Sequence, residues 1–230
     1  TAAAVSEASD LSNTAINPTS VTITASEVGI MTTLTDLARN SASRNVAADI
    51  GRLFGEAIAT KIDTDLLALF DGFSSTLGNG SAAITPNNFF QAVTILRTAG
   101  VPMTDMVAVL HPNIAFDLKS ALATQGNTAF AAGGDGILAN EALRTGFIGQ
   151  LAGVPVFESK NMANTGTTGD YKGAIFQKDA LGIAMMQDLK IEVQRDASLR
   201  ADEIVATAVY GVGELHDSYG IELHYDSSIE

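Results

Sequence analysis

The 230-residue chain has no cysteine. That excludes a disulfide framework, a thiolate metal site and a thiol nucleophile, and it is compatible with oxidising and reducing compartments alike. Basic residues are scarce: 13 Lys and Arg stand against 26 Asp and Glu, a formal net charge of -13. Neutralising phosphates takes clustered cations, so gripping nucleic acid is excluded as the main task. Such a surface repels polyanions and favours solubility. No run approaches the ~20 apolar residues of a membrane span, and no signal-peptide pattern is present. The motifs of common catalysis are missing too: there is no Gly-x-Ser-x-Gly elbow, no Cys–His pair and no Gly-Lys-Ser/Thr phosphate loop. Gly133-Gly134-Asp135-Gly136 is too short for a nucleotide fingerprint and reads as a plain loop. The chain opens on Thr1 rather than Met, which predicts an upstream segment that was cleaved or left out.

What is present is organised in three stretches. Thr1 to Met31 is rich in Ala, Ser, Thr and Asn, with too few large apolar residues to offset its own ordering entropy. Within it Val21-Thr22-Ile23-Thr24-Ala25 alternates as a strand does, so the segment reads either as an arm lying on something else or as a loose terminus with one edge strand. Asn45 to Phe70 follows with an unbroken helical pattern. Val46, Ile50, Leu53, Phe54, Ala57, Ile58, Ile62, Leu66, Leu67 and Phe70 form one apolar stripe at spacings of three and four. Ser43 or Asn45 can cap its start, and Asp71-Gly72 supplies a stop. A helix of this length spans about 39 Å, whereas a compact chain of this size has a radius of gyration of roughly 17 Å. The helix must run along the molecule like a beam. Gly51, Gly55 and Ala59 add a stripe of small residues whose glycines each cost about 1 kcal/mol relative to Ala; either a backbone passes close by or the cost is tolerated.

Phe73 to Ile84 reads as a linker and domain boundary. Thr85-Pro86 opens a second helix ending at Gly100, with Phe89, Val93 and Leu96 on its buried face. Met106–Leu110 is a buried strand, and His111-Pro112 starts a third helix with Ile114, Leu118 and Leu122 on one side. Gln125 to Gly136 reads as a loop. Strands follow at 154–157, 171–177, 181–186, 191–195, 204–210 and 221–225, with a hairpin tip at 164–170. Helices and strands are segregated, so the fold class is α+β.

Asp63 and Asp65 are two apart on a helix and point different ways, so they are no catalytic pair. His111, in a strand-to-helix turn, has a capping or packing role. The repeated Glu214-Leu215-His216 and Glu222-Leu223-His224 place Glu and His on one strand face in each copy. If a hairpin brought both to one side they could hold a divalent metal; otherwise they form a polar sheet face. No catalytic, cofactor-binding or metal residue is assigned.

The order of parts resembles the major capsid proteins of tailed double-stranded DNA bacteriophages, the Hong Kong 97-like fold. The stretches that carry the likeness are Val5 to Leu11, Ser20 to Gly29 and Leu34 to Ala38; the end of the long helix, Ile62 to Leu67; Ile148 to Ser159; and Val193 to Ala197 with Val205 to Gly213. The resemblance implies an extended loop and return strand over residues 1–36, a peripheral domain from 37–84 plus 187–212 built on the long spine helix, and an α/β axial domain from 85–186 plus 213–230. It implies a shell subunit that forms hexamers and pentamers and encloses DNA without reading its sequence, with portal, scaffolding and decoration proteins as possible partners. It implies assembly in the bacterial host cytoplasm, with no cofactor and no membrane. Leu11, Ile16, Val21 and Ile23 are then expected to contact neighbouring subunits. Some members weld subunits through an extended-loop lysine; no lysine precedes Lys61 here, so no such cross-link is expected from this portion. An encapsulin-like nanocompartment shares the fold and is the nearest alternative. A small metal-dependent hydrolase built on Glu214, His216, Glu222 and His224, and an adhesin or tail component, are alternatives of other classes.

Overall fold

The computed structural model describes residues 20–41, 45–131, 149–162 and 169–229, with the backbone alone for 123–131. Leu11, Ile16, the 133–136 glycine run and most of the 164–170 tip lie outside the described residues.

Two sheets share one helix. The first sheet is antiparallel, in the order β1 (Ser26–Thr35), β8 (Ala201–Glu214), β7 (Leu181–Asp196). The second has six strands in the order β2 (Thr76–Leu77), β9 (Gly220–Asp226), β6 (Asp170–Gln177), β3 (Met106–Leu110), β5 (Val154–Glu158), β4 (Gln150–Leu151). The helices are α1 (Asp36–Ser41), α2 (Val46–Ala68), α3 (Pro86–Thr98) and α4 (Pro112–Ala131).

The beam is α2. Asn45 caps it, its side chain accepting from the Ala48 N–H, and a 3₁₀ turn, Leu69–Gly72, closes it. Alternate residues of β8, from Ile204 through Ala206 and Ala208 to Tyr210, are buried. Two of them are alanines, which lets the helix sit close enough for Phe54 and Ile58 to bury against the sheet. The Tyr210 hydroxyl donates to Asp65 of α2 at 2.7 Å, fixing the helix lengthwise. Beyond that point the helix passes to the other sheet: Leu67, Phe70 and Phe73 pack with Ala174 and Phe176 of β6.

The opposite face of the six-stranded sheet carries the main core. Phe89, Val93 and Leu96 of α3 and Ile114 and Leu118 of α4 close over Ala108, Leu110, Ile175, Ile221 and Leu223. Thr85 caps α3 by accepting from Asn88 N. Gly100, at φ +77°, ends it in a left-handed conformation that glycine adopts without strain.

Four sequence readings are corrected. Residues 73–84 are no free linker: Phe73 and Ile84 are buried and β2 pairs with β9, because one aromatic and one branched apolar anchor hold the segment against the sheet. The 181–186 and 191–195 strands are one strand, β7, interrupted by register shifts between Met185 and Lys190. The Gln125 loop is helical as far as Ala131; no proline after Pro112 interrupts the helix that α4 begins. The expected 21–25 strand begins instead at Ser26. At Ile23 and Thr24 the chain crosses over Gly211 and Gly213, whose missing side chains let it lie on the sheet rather than beside it.

Candidate assembly surface

The register of the three-stranded sheet assigns each β7 side chain to a face. Ile183 lies opposite Val212, Met185 opposite Tyr210, Ile191 opposite Ala206 and Val193 opposite Ile204. All four therefore stand on the face that α2 covers. The helix touches all three strands but leaves this row open: Ile191 is 45% exposed and Val193 64%. In the shifted stretch Met186 is 80% exposed and Leu189 42%. Among the described residues, β1 and β7 each have one partner strand, so both outer edges present free backbone donors and acceptors. A 16-residue edge strand with an apolar row is a template for pairing and burial.

The far end of this sheet is held by charge. Arg195 binds Asp36 through both nitrogens at 2.6 and 2.7 Å and reaches Asp202 at 3.1 Å, and Arg39 also pairs with Asp202. The hydrogen bond from Arg195 holds the Asp36 carboxyl below its usual range. Leu37 and Leu199 stand exposed beside this cluster around a cavity of about 340 Å³.

The four Glu and His residues of the metal reading do not converge. Glu214 ends β8, in the three-stranded sheet, while Glu222 and His224 lie on β9, in the other. Glu222 is buried and paired with Lys172 at 2.9 Å, with Thr76 donating to its other oxygen at 3.0 Å. His216 packs on Tyr219, and His224 faces Asp170. Among the described residues no group of three or more His, Asp or Glu is placed to hold a metal ion. Asp63 accepts from Ser159 and Asn161, whereas Asp65 binds Lys61 and Tyr210, so the two diverge. His111 stacks on Tyr171 at 4.1 Å and accepts from Asn113 N, a packing and capping role; burial lowers its pKa. No helix among the described residues is long and apolar enough to cross a membrane.

Two features escaped the sequence reading. One is the ion pair of Lys172 with Glu222 and Asp71; no spacing rule links residues fifty and a hundred positions apart. The other is the continuity of β7. The alternation of Leu181, Ile183 and Met185 and that of Ile191 and Val193 were both legible, but the register shifts between them break the period.

An α+β subunit with an open apolar edge and, among the described residues, no convergent polar site is suited to contact with other chains. The phage capsid protein family matches residues 18–221. The chain belongs to that family. It is a structural capsid protein, a component of the virion, and its fold is that of assembled capsid shells. A chain from Mycobacterium phage Che8 is similar at 25% identity and TM-score 0.72, covering 86% of this chain and 70% of that one. The capsid of cyanophage P-SCSP1u is similar at 20% identity and TM-score 0.74, covering 99% and 81%. The SrpI encapsulin of Synechococcus elongatus shares the fold at 12% identity and TM-score 0.65, covering 89% and 75%. No curated protein matches the chain.

Within this capsid protein the sequence-predicted contact residues fall differently. Val21 is 53% exposed. Ile23 is half-buried over Gly211 and Gly213 of its own chain, so only part of its surface is left for a neighbour.

Proposed function

We propose that this capsid protein closes into an icosahedral head of hexamers and pentamers enclosing double-stranded DNA. The observation that carries this reading is the exposed apolar row on β7 beside two sheet edges that have no second partner strand among the described residues. Repeated contacts between unlike surfaces close into symmetric shells when their rotation closes. Burying that row against neighbouring copies would contribute roughly 25 cal/mol per Å² of apolar area, and many moderate contacts then act together.

In this reading residues 37–84 plus 187–212 act as the peripheral domain and 85–186 plus 213–230 as the axial domain. The two-sheet architecture supports that division, although β2 joins the larger sheet. Leu11, Ile16, Val21 and the outer half of Ile23 lie against an adjoining subunit. No catalytic residue is needed. The net charge of -13 keeps packaged DNA from adhering to the shell. Assembly takes place in the host cytoplasm with portal, scaffolding and decoration proteins, and no lysine of residues 1–60 is available for cross-linking.

Electron microscopy of the purified chain tests the proposal. Closed shells that hold nucleic acid when isolated from infected cells are expected. A stable monomer would overturn it, and shells filled with a protein cargo would favour the encapsulin-like alternative.

A further inference from the structure

The chain passes from β2 to α3 through residues 78–85. Gly80 stands there at φ +69°, a region that glycine enters without strain. Its N–H donates to the His224 carbonyl of β9 at 3.1 Å. A Cβ on it would lie 2.7 Å from the Asp170 carboxyl group of β6, so the position admits no side chain. Asn79, just before it, is exposed to solvent. The Ser81 N–H donates to Asn79 Oδ1 at 3.3 Å, and the Ser81 hydroxyl donates to the same oxygen at 2.5 Å. A backbone N–H can only donate, which fixes the atom it meets as the amide oxygen.

Asn79 is the only asparagine of the sequence that is followed by glycine. A neighbour without a side chain leaves its amide nitrogen uncrowded and lets the backbone turn toward the asparagine side chain. We infer that Asn79 is a site of spontaneous deamidation and that Ser81 assists the reaction. The Gly80 nitrogen gives its proton to water and forms a bond to Asn79 Cγ. The electron pair of the carbonyl moves onto Oδ1, and the two Ser81 donors already face that atom. Donors fixed in advance on the oxygen that gains charge lower the barrier. The carbonyl then re-forms, the bond from Cγ to Nδ2 breaks, and the nitrogen takes up a proton and leaves as ammonia. Water opens the cyclic imide that remains. Cleavage at Cγ leaves aspartate, and cleavage at the backbone carbonyl leaves isoaspartate. The sum is one water consumed and one ammonia released.

The hydrogen bond to His224 restrains the attacking nitrogen, so each event needs that bond to open. Either product carries a negative charge that asparagine lacks, next to the glycine that lies against the Asp170 carboxyl group. Like charges repel, and isoaspartate also lengthens the backbone. The modification therefore loosens the rim where residues 78–81 meet β9 and β6. It proceeds within one chain and does not rest on the proposed function.

Holding the purified full chain at mildly alkaline pH and reading its peptides by mass spectrometry for the change from amide to acid tests this. Conversion is expected at Asn79, while Asn87 and Asn88, followed by Asn and Phe, stay intact. Ser81→Ala keeps the N–H donor and loses the hydroxyl, and is expected to slow the conversion by about tenfold, the worth of one hydrogen bond. Ser81→Thr keeps a hydroxyl and is expected to restore the rate. In denaturant the wild type and Ser81→Ala should react alike, because the folded contact is gone. Conversion at Asn79 no faster than at Asn87 and Asn88 overturns the proposal. So does a folded Ser81→Ala chain that reacts at the wild-type rate, a Ser81→Thr chain as slow as the alanine variant, or a difference that persists in denaturant.

Discussion

In the six-stranded sheet Leu110, Ile175 and Leu223 are wholly buried beneath α3 and α4. In the three-stranded sheet Ile183, Met185, Ile191 and Val193 stand on the helix-covered face and yet remain exposed. Both sheets carry alternating apolar residues, so the difference lies in coverage, not in composition. Two helices close one sheet, whereas a single helix is shared by all three strands of the other and leaves the apolar row of β7 exposed. One region is finished within the chain, and the other is left for a neighbour to finish.

The largest expected effect strikes the finished region. Phe89→Ala empties a site with no solvent exposure and should cost about 3–5 kcal/mol, measured by denaturant unfolding. An equal loss from truncating Val193 would erase the distinction between the sheets. Next comes an ion pair within the six-stranded sheet that also reaches the turn after α2. Burial works against the Lys172 charge, but hydrogen bonds to Asp71 and Glu222 outweigh it and raise its pKa. The Lys172 charge therefore persists through neutral pH, and its contribution is lost as pH rises through that elevated value. Lys172→Met leaves buried Glu222 without its cation and should cost about 2–3 kcal/mol, read from the shift in the unfolding midpoint.

A smaller effect has the opposite sign. Among the described residues nothing lies within 4 Å of a Cβ placed on Gly51 or Gly55, so none of their backbone requires these glycines. Gly55→Ala should stabilise the isolated subunit by about 1 kcal/mol, seen as a raised melting temperature; a loss would mean that the site is already filled. The smallest stability change belongs to the open sheet. Ile191→Lys with Val193→Lys should alter unfolding free energy by no more than about 0.5 kcal/mol while abolishing particle formation on a sizing column.

How legible this was depended on the distance between interacting residues. The cap at Asn45, the α2 stripe, the Thr85-Pro86 start and the buried faces of α3 and α4 are set by neighbours three or four positions apart, and the sequence shows them. The fate of Ile23 was not legible, because it depends on Gly211 and Gly213 nearly two hundred residues away. The Glu and His repeats misled for the same reason: the chain changes sheets between them, at residues 215–219. The openness of β7 could not be read either. Its alternation announces a strand with one apolar face, but not that α2 leaves the side chains of that face uncovered.

The central claim is that β7 is completed by another copy. Amide hydrogen exchange compared between isolated subunits and assembled particles tests it most directly. Protection should rise along β7 on assembly, from Ile183 through Val193, while β3 stays unchanged. Equal exchange of β7 in both states would contradict the account.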